Sequence, residues 1–270
     1  MTAAGEEACP SHFIDFVRTL PDITRPLAQK HFRTTLEVDD KEDASPVTIA
    51  DRAIEQALRT RISEHFPDHG LLGEEYGQER GDAPYCWVLD PIDGTKSFVT
   101  GKPTFGTLIA LAHHGVPILG VIDMPALQEV WIGAVGHGTE WNGQAVKSRS
   151  CASLDKAFFQ ATSPFMFVSQ EEKNAHNALS QAVKHPLYGA DCYAYGLLAC
   201  GWVDIVFEAS LQPYDFMALV PVVEGAGGLM RDWQGNPLTI TSAGQVVACG
   251  DPTLMPAALS VLAQSQEEAA

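Results

Sequence analysis

The chain has 270 residues, 46% of them hydrophobic and 19% charged, which is enough apolar material for one large core or two closely joined domains. Its 34 acidic residues against 17 basic give a formal charge of −17; such a surface repels nucleic acid and anionic membranes, no Lys/Arg cluster offsets it, and its field favours cationic ligands and metal ions. Six scattered cysteines without a CxxC pair predict buried free thiols in a reducing compartment, and with neither a secretory signal nor a membrane-spanning run the expected location is cytoplasmic.

In chain order, His12 to Lys30 has the apolar spacing of an amphipathic helix. Val38 to Ser45 is polar and acidic and reads as a mobile loop. Thr48 to Phe66 is a second helix, with Ile49, Ala53, Ile54, Ala57, Leu58 and Ile62 on its inner face. Thr48 there is an N-cap candidate with Asp51 at N3, so Asp51 is either a capping-box acid or a functional carboxylate. Short apolar or alternating runs follow at Gly70 to Glu75, Tyr85 to Leu89, Thr104 to Ala112, Ile118 to Asp123 and Glu129 to Ala134. They predict a largely antiparallel first sheet, with Asn142-Gly143 as a hairpin turn.

The polar stretch Lys147 to Ser153 marks a domain junction, giving an α+β domain over 1–147 and an α/β domain over 148–270. Beyond it the pattern predicts strands at Ala157 to Thr162, Leu187 to Asp191 and Val203 to Glu208, and from Leu229 onward. Helices alternate with them at Glu171 to Val183, Tyr193 to Cys200, Pro213 to Ala226 and Pro256 to Ala263. The fold class is α/β, as an α+β layered sandwich.

The chemistry concentrates in Trp87-Val88-Leu89-Asp90-Pro91-Ile92-Asp93-Gly94-Thr95-Lys96. Two carboxylates lie three residues apart behind a buried strand, with a Gly-Thr turn after them. Hard divalent cations are held by carboxylate, carbonyl and water oxygens, and ligands of α/β proteins gather at carboxyl ends of strands. A lone Asp-Gly pair would be an ordinary turn. Here Glu74 ends a strand, and Asp215 falls in the first turn of a helix opened by Pro213, where the helix dipole also favours an acid.

Together Gly73-Glu74-Glu75, Asp90-Pro91-Ile92-Asp93-Gly94-Thr95, and Tyr214-Asp215 followed by Glu224-Gly225-Ala226-Gly227-Gly228 resemble the inositol-monophosphatase family of Mg²⁺-dependent, lithium-sensitive phosphatases. Tyr214 stands where that family usually has Trp. The resemblance implies an αβαβα fold, a homodimer and a small phosphate ester as substrate, with neither nucleic acid nor membrane as partner. It implies a first Mg²⁺ on Glu74, Asp90 and the Ile92 carbonyl and a second on Asp90, Asp93 and Asp215, with a third, looser ion near Glu74 in some members. Asp51 and Thr95 would deprotonate and orient the attacking water, and the N–H groups of Gly94 and Thr95 would cradle phosphate.

Within the family the best match is the histidinol-phosphatase branch, through Asp93 to Pro103, Asp191-Cys192-Tyr193-Ala194-Tyr195-Gly196 and Pro213 to Glu224. Its substrate carries an ammonium and an imidazole beyond the phosphate. Glu208 and Asp191 fall where the family contacts the organic part, and two acids there suit a cation and burden a neutral polyol. Against this stand a helix cap for Asp191 and a strand-end surface charge for Glu208. The alternatives are an inositol-1-monophosphatase or broad-specificity sugar/nucleotide phosphatase, and a non-catalytic metal-dependent regulator. His113-His114, Lys102 and Arg149 have no assigned role.

Overall fold

A computed structural model describes residues 7–34 and 46–267, except the side chains of 46–48 and 266–267. The expected loop at Val38 to Ser45 and the Thr48 side chain lie outside the described residues.

The first expected helix is two: α1 (Ser11–Val17) and α2 (Pro21–His31). Pro21 takes the first position of α2, where its missing N–H has no partner to lose, and the break falls just before it; Pro26, inside the same helix, forgoes one ladder bond without ending it. The next helix, α3 (Pro46–His65), begins ahead of Thr48. Asp51 therefore sits in its second turn and is not a capping-box acid. Its buried face is Ala50, Asp51, Ile54, Glu55, Leu58, Arg59 and Ile62, whereas Ile49 is 50% exposed. The apolar pattern placed Ile49 inside because it could not register that three charged residues share the buried face.

β1 (Gly70–Gly73) and β2 (Gly77–Glu79) form a hairpin, followed by β3 (Tyr85–Asp93) and the short helix α4 (Thr95–Val99). Next come β4 (Gly106–His113), β5 (Val116–Met124), β6 (Glu129–Ala134), β7 (Gly138–Trp141) and β8 (Gln144–Val146). They form one eight-stranded sheet, ordered β2-β1-β3-β4-β5-β6-β7-β8, antiparallel except between β1 and β3. Asn142 and Gly143 have φ of 48° and 77° between the paired Trp141 and Gln144, the two left-handed residues of the expected tight hairpin.

The later elements are β9 (Phe158–Ala161), α5 (Gln170–Ala182), β10 (His185–Tyr188), α6 (Tyr193–Ala199), β11 (Ile205–Glu208), α7 (Pro213–Phe216) and α8 (Leu219–Gly225). β12 (Leu229–Asp232), β13 (Val246–Cys249) and α9 (Met255–Glu267) complete the described chain. The five-stranded second sheet runs β10-β9-β11-β13-β12.

Side chains alternate across each strand. Trp87 and Leu89 of β3 join a core with α1 to α3, while Cys86 and Val88 face α6 and α8. In the second sheet Val206, Val246 and Ala248 face α6 and α8, while Phe207, Val247 and Cys249 face α5 and α9. The layers are thus α, β, α, β, α. Helix α8 lies directly on the first sheet: a Cβ on Gly120 or Gly133 would collide with the Ala218 or Pro221 carbonyl. That close approach also brings α7, which carries Asp215, onto the end of β3.

All six cysteines are free and five are buried, as the composition implied. Arg149 forms a two-pronged ion pair with Asp204 at 2.8 and 2.6 Å, so it is engaged within the fold. Lys102 donates to the Gly189 carbonyl. His114 is exposed in the β4–β5 turn, and His113 stacks on Tyr85 with ring centres 4.5 Å apart.

Candidate active site: an uncompensated acidic cluster

Gly73 of β1 is in register with Leu89 of the parallel strand β3, so the next residues, Glu74 and Asp90, leave the shared edge side by side. Strand β3 does not stop at Leu89. It runs on to Asp93 through an irregularity in which Asp90 is opposite Leu108 and Asp93 opposite Gly106. Two residues, Pro91 and Ile92, oppose the single Thr107. Pro91 has no N–H for the ladder, and its carbonyl instead accepts from the buried Thr107 hydroxyl at 2.8 Å. In a regular strand residues three apart point to opposite faces. The extra residue of the bulge cancels that alternation, and Asp90 and Asp93 share a side.

Asp215 joins them from α7. Carboxylate oxygens of Asp90, Asp93 and Asp215 all lie within 4.8 Å of one another. Asp215 is also the N3 acid of a capping box, its Oδ2 accepting from the Gln212 N–H at 2.6 Å. Capping and site membership coexist. Asp93 is aimed by the Cys192 N–H, which donates to its Oδ2 at 2.8 Å.

The electrostatics are one-sided. Burial raises Asp90 and Asp93 far above the ordinary carboxylate range, and neighbouring acids add to it: Asp93, Asp215 and Glu74 for Asp90, and Asp215 and Asp191 for Asp93. Asp215 is raised by burial. Asp51 is pushed up to about 8, first by burial and then by Glu74, Glu75 and Glu55. Glu74 is pushed up to about 7 by burial of its carboxyl and by Asp215, Glu75 and Glu55, although the residue keeps an exposed surface. Among the described residues no ion pair includes Asp51, Glu74, Asp90, Asp93 or Asp215. Asp51 Oδ1 and Asp90 Oδ1 are buried and have no hydrogen-bond partner. A buried charge without a partner is costly. An all-oxygen donor set crowded with negative charge, without a paired cationic side chain among the described residues, fits hard divalent cations such as Mg²⁺.

The backbone turns sharply after Asp93. Gly94 is left-handed at φ 80° and precedes α4; a Cβ there would also press on the Asp191 carboxyl at 2.9 Å. Thr95 Oγ1 donates to the Ile92 carbonyl at 3.3 Å and not to Asp51. Beside this turn opens a cleft of about 250 Å³, lined by Asp93, Gly94, Thr95, Lys96, Asp191, Tyr195, Glu208 and Asp215 among others. Asp51 of α3, Glu74 and Asp90 lie outside its lining. A larger surface cleft of about 310 Å³, beside the Arg18–Glu140 ion pair, contains none of these acids.

Asp191 and Glu208 are both buried, at 7% and 4% exposure. Asp191 does not cap α6. Its Oδ2 accepts from Ser97 Oγ at 2.5 Å and Thr104 Oγ1 at 2.7 Å, with the residue held left-handed at φ 49°. Glu208 is no surface charge: Oε1 accepts from the Thr162 N–H at 2.8 Å and Oε2 from the Tyr195 hydroxyl at 3.0 Å. Burial pushes it up to about 7. The sequence reading missed Ser97, Thr104, Thr162 and Tyr195. Tyr195, two residues into α6 and apparently an ordinary core aromatic, gave no signal that its hydroxyl ends on an acid thirteen residues on.

Comparison with known proteins agrees with this architecture. The family model for the inositol monophosphatase family matches residues 11–267. The bifunctional phosphatase IMPL2, chloroplastic, of Arabidopsis thaliana is 49% identical over 252 residues, covering 90% of this chain and 72% of that protein. A histidinol-phosphatase of Chlorobaculum parvum is 35% identical, covering 80% of this chain and 83% of its own. The solved structure of an inositol monophosphatase from Zymomonas mobilis superposes with a TM-score of 0.89 at 45% identity, covering 94% of this chain and 98% of the other. With nearly its whole length matched, the chain belongs to the inositol monophosphatase family of Mg²⁺-dependent phosphatases.

Proposed function

We propose that the protein hydrolyses L-histidinol phosphate to L-histidinol and phosphate, a step of histidine biosynthesis. The observation that carries this reading is the pair of buried acids, Asp191 and Glu208, in the cleft beside the Asp93–Asp215 cluster. An ammonium or imidazolium would complete their hydrogen bonding, whereas a neutral polyol would leave charge unpaired. The histidinol-phosphatases of Chlorobaculum parvum and Mycobacterium tuberculosis, at 35% and 36% identity, support it. The 45% identical Zymomonas mobilis structure favours an inositol-1-monophosphatase as the second reading.

Glu74, Asp90 and the Ile92 carbonyl would hold one Mg²⁺, and Asp90, Asp93 and Asp215 a second, with Glu74 beside any third. When bound, these ions neutralise charge developing on the phosphoryl oxygens and lower the pKa of water. The protein's own part is positioning and proton handling. Thr95, its hydroxyl free to turn from the Ile92 carbonyl, orients the attacking water, and the unpartnered Asp51 Oδ1 accepts its proton. The N–H groups of Gly94 and Thr95 hold the phosphate. Glu208 and Asp191 orient the organic group so that its ester oxygen leaves in line. A cytoplasmic homodimer completes the proposal, with the two domains meeting near residue 147.

The test is phosphate release from histidinol phosphate and inositol 1-phosphate side by side, with Mg²⁺ or EDTA. A strong preference for histidinol phosphate supports the reading; preference for inositol 1-phosphate overturns the pocket assignment and leaves the acidic cluster standing.

A further inference from the structure

We propose that Glu55 is a positioning residue that fixes the Glu74 turn against the helix carrying Asp51, and so sets the spacing of the two acids on either side of the cation site. The proposal rests on the reading of Glu74 as a cation ligand.

Glu55 lies one helical turn beyond Asp51 on α3 and is fully buried. A carboxylate in that position must be saturated with donors. Its Oε2 accepts from the Glu75 N–H at 2.7 Å, and its Oε1 accepts from the Tyr76 N–H at 3.2 Å and from Arg59 Nε at 2.7 Å. Two of these three donors are backbone groups of the residues that immediately follow Glu74. Arg59, buried on the next turn of α3, holds the far side of the same hairpin. It donates to Glu79 Oε1 at 2.9 Å and to the Gly77 carbonyl at 2.5 Å. The β1–β2 hairpin is therefore gripped at 75, 76, 77 and 79 by two side chains of one helix.

Gly73 completes the seat. A Cβ at that position would collide with the Glu55 carboxyl group. The glycine of the Gly73-Glu74-Glu75 motif is thus needed for the approach of Glu55, which lies eighteen residues earlier in the chain. A hairpin that only needed anchoring to α3 could be held anywhere along its length. This grip acts on the peptide units directly after Glu74, from a residue four positions after Asp51.

Glu55→Gln separates the roles. All three donors facing the carboxylate are N–H groups, so an amide must turn its own NH₂ toward one of them and lose that bond. Partners one shell behind a metal ligand typically matter by 10–100-fold in affinity. Calorimetric titration of the metal-free protein with Mg²⁺ should therefore show Kd raised about tenfold or more. Gly73→Ala keeps the charge but displaces the carboxyl, and should weaken Mg²⁺ binding comparably; it carries the test if Glu55→Gln does not fold. The double variant should bind little worse than either single one. Glu79→Gln, which loosens the outer end of the hairpin, should stay within about twofold of wild type, a neutral bond at a half-exposed site. Raising Mg²⁺ should restore turnover in Glu55→Gln.

Wild-type Mg²⁺ affinity in folded Glu55→Gln or Gly73→Ala would overturn the proposal, as would Glu79→Gln weakening binding equally. Absence of Mg²⁺ binding by the wild type, or unchanged binding in Asp90→Asn, would instead overturn the cation site itself.

Discussion

Replacing Glu208 by Gln is the most incisive perturbation of the substrate pocket, because the structure predicts that it removes charge and little else. Thr162 N–H can only donate, and the amide oxygen can accept from it in place of Oε1. The Tyr195 hydroxyl now donates to Oε2; it can rotate and accept from the new NH₂ instead. Both existing bonds therefore survive, and the buried site keeps its shape. What disappears is the negative charge offered to an ammonium or imidazolium. Glu208 is already desolvated, at 4% exposure, so in the wild type the substrate meets a charge whose burial is settled before it arrives. Removing one partner of a buried, hydrogen-bonded charge pair costs about 2–5 kcal/mol. The lower end applies because the amide still offers the incoming group a neutral oxygen. About 2 kcal/mol is roughly a 30-fold change.

The assay is kcat/KM for histidinol phosphate, inositol 1-phosphate and an aryl phosphate at pH 8 in saturating Mg²⁺. The ratio of histidinol phosphate to aryl phosphate should fall about 30-fold in Glu208→Gln. The pH dependence gives a second, independent signature. Burial pushes Glu208 up to about 7, and a carboxyl is charged above its pKa. The wild-type advantage over Glu208→Gln should thus be full near pH 8 and shrink by about tenfold at pH 6, one unit below that value. Over this range the substrate's ammonium stays largely charged, so the ratio follows Glu208 itself, whereas an imidazolium partner would lose its charge above about pH 6.5 and the advantage would fall toward pH 8. Equal losses on all three esters, or a ratio indifferent to pH, would refute the reasoning and return Glu208 to a purely structural tie between β11 and α6.

Asp191→Ala should reduce histidinol phosphate turnover far more than aryl phosphate turnover; equal losses would show that its bonds to Ser97 and Thr104 matter only for placing α4. Asp51→Asn should lower kcat by about 10²–10⁴-fold, the usual share of a general base, while calorimetry finds Mg²⁺ still bound; an unchanged kcat would remove Asp51 from the chemistry. Metal-free stability should depend on pH with a definite sign. Asp51 and Glu74 are raised in the folded state to about 8 and about 7, so the folded state binds their protons more tightly than the unfolded chain does. Their contribution to stability is full below the ordinary carboxylate range, near about pH 4, and is lost as pH rises through those folded-state values. In EDTA the melting temperature should drop between pH 6 and 8.5. Asp51→Asn should lessen that drop and added Mg²⁺ reverse it, because a ligand bound only by the folded state stabilises it; a flat profile would mean that these carboxyls are neither buried nor crowded as the structure places them.

Much of this site could be read from the chain because its determinants are local. Asp90, Asp93, Gly94 and Thr95 lie in one six-residue motif, and the apolar run of β3 places that motif in the core. The hairpin at Asn142-Gly143 and the helix start at Pro213 were legible for the same reason, each being set by the backbone preferences of one or two residues. The bulge between Asp90 and Asp93 was not. It depends on Thr107 of the neighbouring strand, whose hydroxyl takes the Pro91 carbonyl, and no pattern within β3 announces it. Pro21 was visible, but the regular apolar spacing around it outweighed the break it imposes.

The remaining omissions share one physical cause. Glu55, Arg59 and Tyr195 are polar groups on otherwise apolar faces, and each is buried because a partner comes from another element. Periodicity assigns a face from the majority of its residues, so a buried acid is counted as an exception to the face it completes. In α3 the exceptions carry the argument: Asp51, Glu55 and Arg59 occupy successive turns on the side that faces the first sheet, among Ala50, Ile54, Leu58 and Ile62. A helix selected only for packing would fill those positions with aliphatic residues, since a buried ion pair seldom stabilises more than the apolar residues it displaces. Their presence is better explained by direction than by stability. Donors and acceptors act along bonds, and bonds to the peptide units beside Glu74 can hold that turn at a set distance from Asp51 in a way that non-directional apolar contact cannot.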